Sequence, residues 1–126
     1  MNTIIDPVPL TTKFLGEVRP YIAKCESETK PPPNTFQNLL NGVIENDAAR
    51  DFIYCYLVDA GFMLKDGHFI VSRIGEILEG YGAKEEAEKA FEECNKITGK
   101  DPLELLTLMI DCYRDNTPVV FTIPKA

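Results

Sequence analysis

The chain has no tryptophan, a single histidine (His68), and no run of about 18 apolar residues, so nothing in it reads as a membrane-spanning helix. It is short of positive charge. Thirteen basic residues face twenty acidic ones, giving a formal net charge of −7 and no basic patch. Nucleic acid and anionic membrane surfaces are therefore not expected partners. The excess acid is expected to serve solubility. No N-x-[ST] acceptor is present, and no two cysteines sit on one short turn as zinc knuckles require. The opening Met1 to Leu10 contains Asp6, Pro7 and Pro9 and lacks a basic-then-apolar leader. It does not read as a signal peptide. A secreted protein would then be represented as its mature chain, with Met1 added for expression.

What is there is 126 residues, 44% of them hydrophobic, enough for one domain with a core. The expected domain covers 1–126, with a helical body over about 11–115 and a tail over about 117–126. Four cysteines, Cys25, Cys55, Cys94 and Cys112, have 29, 38 and 17 residues between successive members. That spacing suits two disulfides stapling long helices. Four cysteines allow three pairings, and free buried thiols are the alternative. None has the surroundings of a nucleophile, so no catalytic residue is expected.

Hydrophobic periodicity predicts six helices. The first spans about Thr11–Glu28, with Phe14, Val18, Tyr21 and Ile22 on one face and Pro20 expected to kink or split it. A short second helix, about Asn34–Leu40, follows the rigid Pro31-Pro32-Pro33 with Asn34 as its cap. The third spans about Asp47–Ala60, capped by Asp47 and ended by a left-handed Gly61 with Phe62 in contact beyond it. After an Asp66-Gly67 turn come helices over about Ile70–Glu79 and Lys84–Thr98. The sixth starts on Asp101-Pro102-Leu103-Glu104, a strong initiation signal, and runs to about Tyr113. The residues from Thr117 onward are too β-branched and too apolar for a helix or a solvated tail. They are expected to be extended and packed on the body.

Taken together, the cysteine spacing, the helix count and the stretch Tyr54–Phe69 (YCYLVDAGFMLKDGHF) resemble the insect odorant-binding proteins over about Phe14–Tyr113. Usual members have six cysteines, the second four residues before the third and the fifth nine before the sixth. Here those positions hold Asp51 and Leu103, so the chain looks like the four-cysteine, minus-C subgroup. The resemblance implies an all-α fold of six helices around an apolar cavity, with bridges Cys25–Cys55 and Cys94–Cys112. The helix reading agrees with that pairing, which joins the first helix to the third and the fifth to the sixth. The missing central bridge would leave the third and sixth helices less firmly tied. Asp51 would then turn outward or meet Arg50 or Arg114.

The resemblance also implies a non-catalytic carrier of small hydrophobic molecules through extracellular fluid, sensillar lymph or haemolymph. It implies no cofactor or metal, a chemoreceptor as a further partner, and a monomer or weak homodimer. A secreted interaction protein on the same scaffold is the alternative. Mapping from the cysteines places Val18, Ile53, Leu57, Phe62, Met63, Phe69, Ile77, Phe91, Met109, Ile110 and Tyr113 at the ligand. Val43, Ile74, Val120 and Phe121 join them. The expected polar handle is the Tyr113 hydroxyl, with Tyr56 second. His68 reads as a solvated turn residue that could tune release with pH.

Overall fold

Prolines at positions 7 and 9 remove alternate N–H groups from the first described segment, and that alternation is what a one-sided strand tolerates. In the computed structural model, which describes residues 5–124, this segment is strand β1 (Asp6–Pro9). It pairs in parallel with β2 (Val119–Thr122), with Val8 opposite Phe121. Asp6 N–H donates to Pro118 O and Leu10 N–H to Thr122 O, both at 2.8 Å. The positions whose N–H would face solvent are the prolines, which also blocks further strand addition. The tail is thus extended, as expected, but its partner is an N-terminal strand that hydrophobic periodicity did not reveal. Lys125 and Ala126, the end of the predicted tail, and residues 1–4 lie outside the described residues.

Between the strands run α1 (Thr12–Thr29), α2 (Thr35–Leu40), α3 (Asp47–Asp59), α4 (Val71–Ile77), α5 (Lys84–Cys94) and α6 (Pro102–Asn116). No described helix is long and apolar enough to cross a membrane. Helix α1 is not split at Pro20. Both Pro20 and Gly16, whose carbonyl the proline leaves without its usual donor, lie on the exposed face, so water can serve that carbonyl. The Thr11 hydroxyl caps its start by accepting from Phe14 N–H, and Tyr21, expected inward, is exposed.

Two expected caps are corrected. Asn34 precedes α2 but in a left-handed conformation, with no side-chain capping bond. Helix α3 is capped by Asn46, whose side chain accepts from Ala49 N–H at 2.9 Å, and Asp47 is its first residue. The other end of α3 follows expectation. Gly61 adopts φ +85°, Phe62 N–H bonds Leu57 O, and Gly61 N–H bonds Val58 O, which is the paired closure of a Schellman motif. Helix α5 stops at Cys94, four residues early. Asn95 leaves the helix to hold both backbone groups of Phe69, accepting from its N–H at 2.9 Å and donating to its carbonyl at 3.0 Å. Helix α6 begins as read, with Asp101 accepting from Glu104 N–H at 2.8 Å. It runs three residues past Tyr113.

The bridges are Cys25–Cys55 and Cys94–Cys112, tying α1 to α3 and α5 to α6. The position of the missing third bridge is now a polar surface groove. Asp51 is exposed and pairs with Arg50 at 3.2 Å, while Leu103 packs at the core's edge. The link between α3 and α6 is partly replaced by the turn after α3. Gly67, at φ +103°, lies so close to α6 that a Cβ would meet Pro102 O at 2.9 Å. The core runs through Val18, Phe52, Ile53, Phe91, Leu106 and Met109, each at most 1% exposed.

Candidate functional site

Within the fold lies an apolar cavity walled by residues of every helix, by Phe121 of β2 and by Leu10 just after β1. Its wall carries two rows of rings. One runs Phe69, Phe91, Tyr113, Phe121, with successive centroids 5.2, 6.1 and 6.1 Å apart. The other runs Phe14, Phe62, Tyr56, Phe36 at 5.8, 6.3 and 5.4 Å. Aliphatic residues complete it, Leu10 and Leu57 among them. The free volume is about 80 Å3. That holds several waters but is under a third of the smallest ordinary ligand pocket, so the wall must move apart to admit a ligand of ordinary size.

Of the fifteen residues expected at the ligand, nine line this wall: Leu57, Phe62, Phe69, Ile74, Ile77, Phe91, Ile110, Tyr113 and Phe121. Val18, Ile53, Met63 and Met109 are instead sealed core, each at most 1% exposed. Helical spacing cannot separate residues that fill an interior from those that border a void within it. Val43 is 43% exposed in the α2–α3 loop and faces away. Val120 is half-buried on β2, where neighbouring residues alternate faces and Phe121 takes the inward one. Sequence reading missed Leu10, Phe14, Phe36, Leu39 and Leu40. Phe36, Leu39 and Leu40 show i, i+3, i+4 spacing and were recoverable. Leu10, between Pro9 and Thr11, carried no signal.

The two tyrosines differ in what their hydroxyls meet. The Tyr113 hydroxyl donates to Leu40 O at 2.5 Å and accepts from Phe121 N–H at 3.1 Å. Its one proton is spent on Leu40 of α2 while its oxygen accepts from β2, so it cannot donate to a ligand. Burial pushes its pKa up to about 12. Tyr56 is 3% exposed, and its hydroxyl has no hydrogen-bond partner among the described residues. No described side-chain oxygen is both sealed and unpartnered. The Tyr56 oxygen is therefore not fully sealed, and Tyr56 is one of the residues that line the cavity. Burial raises its pKa strongly and the nearby Arg73 charge opposes this, so the hydroxyl stays protonated at any physiological pH.

His68 is not a solvated turn residue. Its side chain is 25% exposed, with Nδ1 3.0 Å from Asp66 Oδ2 and Nε2 3.0 Å from Ile97 O. Both neighbours are acceptors, so only the imidazolium satisfies both. The Asp66 bond, then the Ile97 carbonyl, raises the His68 pKa above 6.5. A raised folded-state pKa contributes stability that is full below pH 6.5 and lost as pH rises through the higher value. Asp66 is lowered by its His68 bonds, so its contribution fades only below pH 3.8. Mild acid therefore tightens this turn rather than releasing it. We expect wild type to lose about 1–3 °C of Tm between pH 6 and 8.5 relative to His68→Gln, from under about 1 kcal/mol of water-screened interaction. Parallel Tm profiles for the two proteins would show that the pair contributes nothing.

The PBP/GOBP family model matches residues 8–116. No curated protein matches by sequence. Among solved structures, the odorant-binding protein dmelOBP28a of Drosophila melanogaster is similar at TM-score 0.65 and 16% identity, over 81% of this chain and 90% of that one. The fatty acid binding protein OBP56a from the oral disk of the blowfly Phormia regina is similar at 0.62 and 23%, over 82% and 91%. At these identities the likeness shows the fold. The four cysteines in two bridges fit the minus-C subgroup.

Proposed function

The chain belongs to the PBP/GOBP family, and we propose that it is a non-catalytic carrier that takes a small hydrophobic molecule into its helical cavity and moves it through extracellular fluid. The observation that carries this reading is the cavity itself. Thirteen of its fifteen lining residues are wholly apolar and the other two are tyrosines. Such a wall gains about 25 cal/mol per Å2 of apolar ligand surface removed from water, less the cost of ordering and of moving the wall apart. Ligands such as terpenoids, semi-volatile aromatics and acyl chains fit that chemistry.

The small free volume favours a second reading, an interaction protein whose core has simply closed. Titration with an environment-sensitive apolar fluorophore separates the two. The protein has no tryptophan to serve as an intrinsic reporter, so an external probe is used. The carrier reading expects saturable micromolar binding by the oxidised monomer and displacement by some members of an odorant and lipid panel. A folded monomer that binds no probe would overturn it.

A further inference from the structure

The polar end of the cavity is built from Phe62. The Tyr56 ring lies 6.3 Å from it and the Arg73 guanidinium stacks over it at 4.7 Å, so a wall tyrosine and a cation outside the wall both pack on this one ring. Arg73 belongs to a surface groove that shares Phe14 and Ile77 with the cavity, which makes that groove the rim of the same space. Arg73 Nη1 is bound to Glu76 Oε2 at 2.8 Å and Nε approaches Ala60 O at 3.4 Å. Nη2 has no partner among the described residues. The rim also holds Lys13, Glu17 and Glu79, the last paired with Lys84. Its two cations and three carboxylates balance once Lys84, the partner of Glu79, is counted, on a protein of net charge −7.

Each feature excludes a ligand class. The free polar atoms are the Tyr56 hydroxyl, which can donate and accept, and the Arg73 Nη2 N–H groups, which only donate, while the Tyr113 proton is already spent. A pure hydrocarbon leaves the Tyr56 donor unmatched. A carboxylate would lose its water beside a cation that Glu76 already neutralises, and burial of a charge without a free counter-charge is heavily penalised. A neutral carbonyl oxygen accepts from Tyr56 and from the rim without that penalty. Resting on the carrier reading, we propose that this cavity selects ligands with an uncharged carbonyl, ketones, aldehydes or esters on an apolar chain. Tyr56 is the specificity-determining donor and Arg73 closes over the polar end.

A matched C10 series tests this: 2-decanone, decane and decanoate, each displacing the same fluorophore at pH 7.4 from the intact oxidised protein. The ketone should bind at least about tenfold more tightly than decanoate. Tyr56→Phe should weaken 2-decanone about tenfold, the scale of one buried hydrogen bond left unmade, and leave decane unchanged or slightly improved. Decane thereby controls for the fold of the variant. Decanoate binding more tightly than the ketone, or Tyr56→Phe shifting ketone and decane alike, would overturn the carbonyl assignment and leave the carrier reading standing. Binding of none of the three, nor of the fluorophore, would overturn both.

Discussion

A chain ending at Thr117 will release a bound apolar probe at least about tenfold faster than the full chain, a change of only about 1.4 kcal/mol in the barrier. Strand β2 does three things at once. It places Phe121 in the cavity wall, it buries Val119 to 2% exposure, and it gives β1 its only described strand partner. Truncation strips the acceptors from Asp6 and Leu10 N–H and frees the Tyr113 hydroxyl from Phe121. Val119 and Phe121 together account for roughly 3–6 kcal/mol of burial, an upper bound, out of a total stability of about 5–15. Release and stability must therefore be measured together. Phe121→Ala separates them, because it opens the wall while the backbone pairing stays. It should cost about 3–5 kcal/mol in denaturant unfolding and raise the off-rate nearly as much as truncation. Equal off-rates in stopped-flow for full and truncated chains would mean that the ligand leaves by another route.

The division between what sequence revealed and what it did not follows the range of the interactions. Gly61 and Asp101 were legible because each acts within one helical turn, where residue identity nearly dictates the backbone. The bridges came through the family likeness rather than through periodicity, which left three pairings open. The pairing of β1 with β2 joins the two ends of the chain, and nothing local marks it. Pro7 and Pro9 carry no strand signal until their partner is known, and only then is their alternation seen to fit one edge. The early end of α5 is of the same kind, since Asn95 is a helix-compatible residue recruited by Phe69 from a different element. At the site, spacing identified inward faces, but it could not tell Met109, sealed in the core, from Ile110, which borders the void. Nor could it rank the tyrosines. Tyr113 is committed by a carbonyl 73 residues away, and that commitment is what leaves Tyr56 as the free donor.

Removing one disulfide will cost about 3–4 kcal/mol, and removing both will leave no stable fold at 37 °C. The bridges span 30 and 18 residues, and the chain-entropy account gives each a contribution of that size. Their sum approaches or exceeds the net stability of a domain this small. The two losses should nonetheless differ in kind. Helix α1 packs chiefly on α3, and beside its bridge Lys24 reaches Asp59 at 2.7 Å, so that face keeps other ties. Both bridges adjoin wall residues, Cys55 beside Tyr56 and Cys112 beside Tyr113, but α5 packs chiefly on α4 and α6 and, among the described residues, no ion pair backs up its bridge to α6 as Lys24–Asp59 does for α1 and α3. Cys25→Ala/Cys55→Ala should therefore lower the urea midpoint while leaving probe affinity within about twofold under conditions where the variant is folded. Cys94→Ala/Cys112→Ala should lower both, because a loosened α5 carries Phe91 out of the wall. A buried cysteine pair replaced by alanine also leaves a small hole, which adds to the stability cost but does not by itself move the cavity. Affinity lost equally in both double variants would show that the cavity depends on general stability rather than on the position of α5.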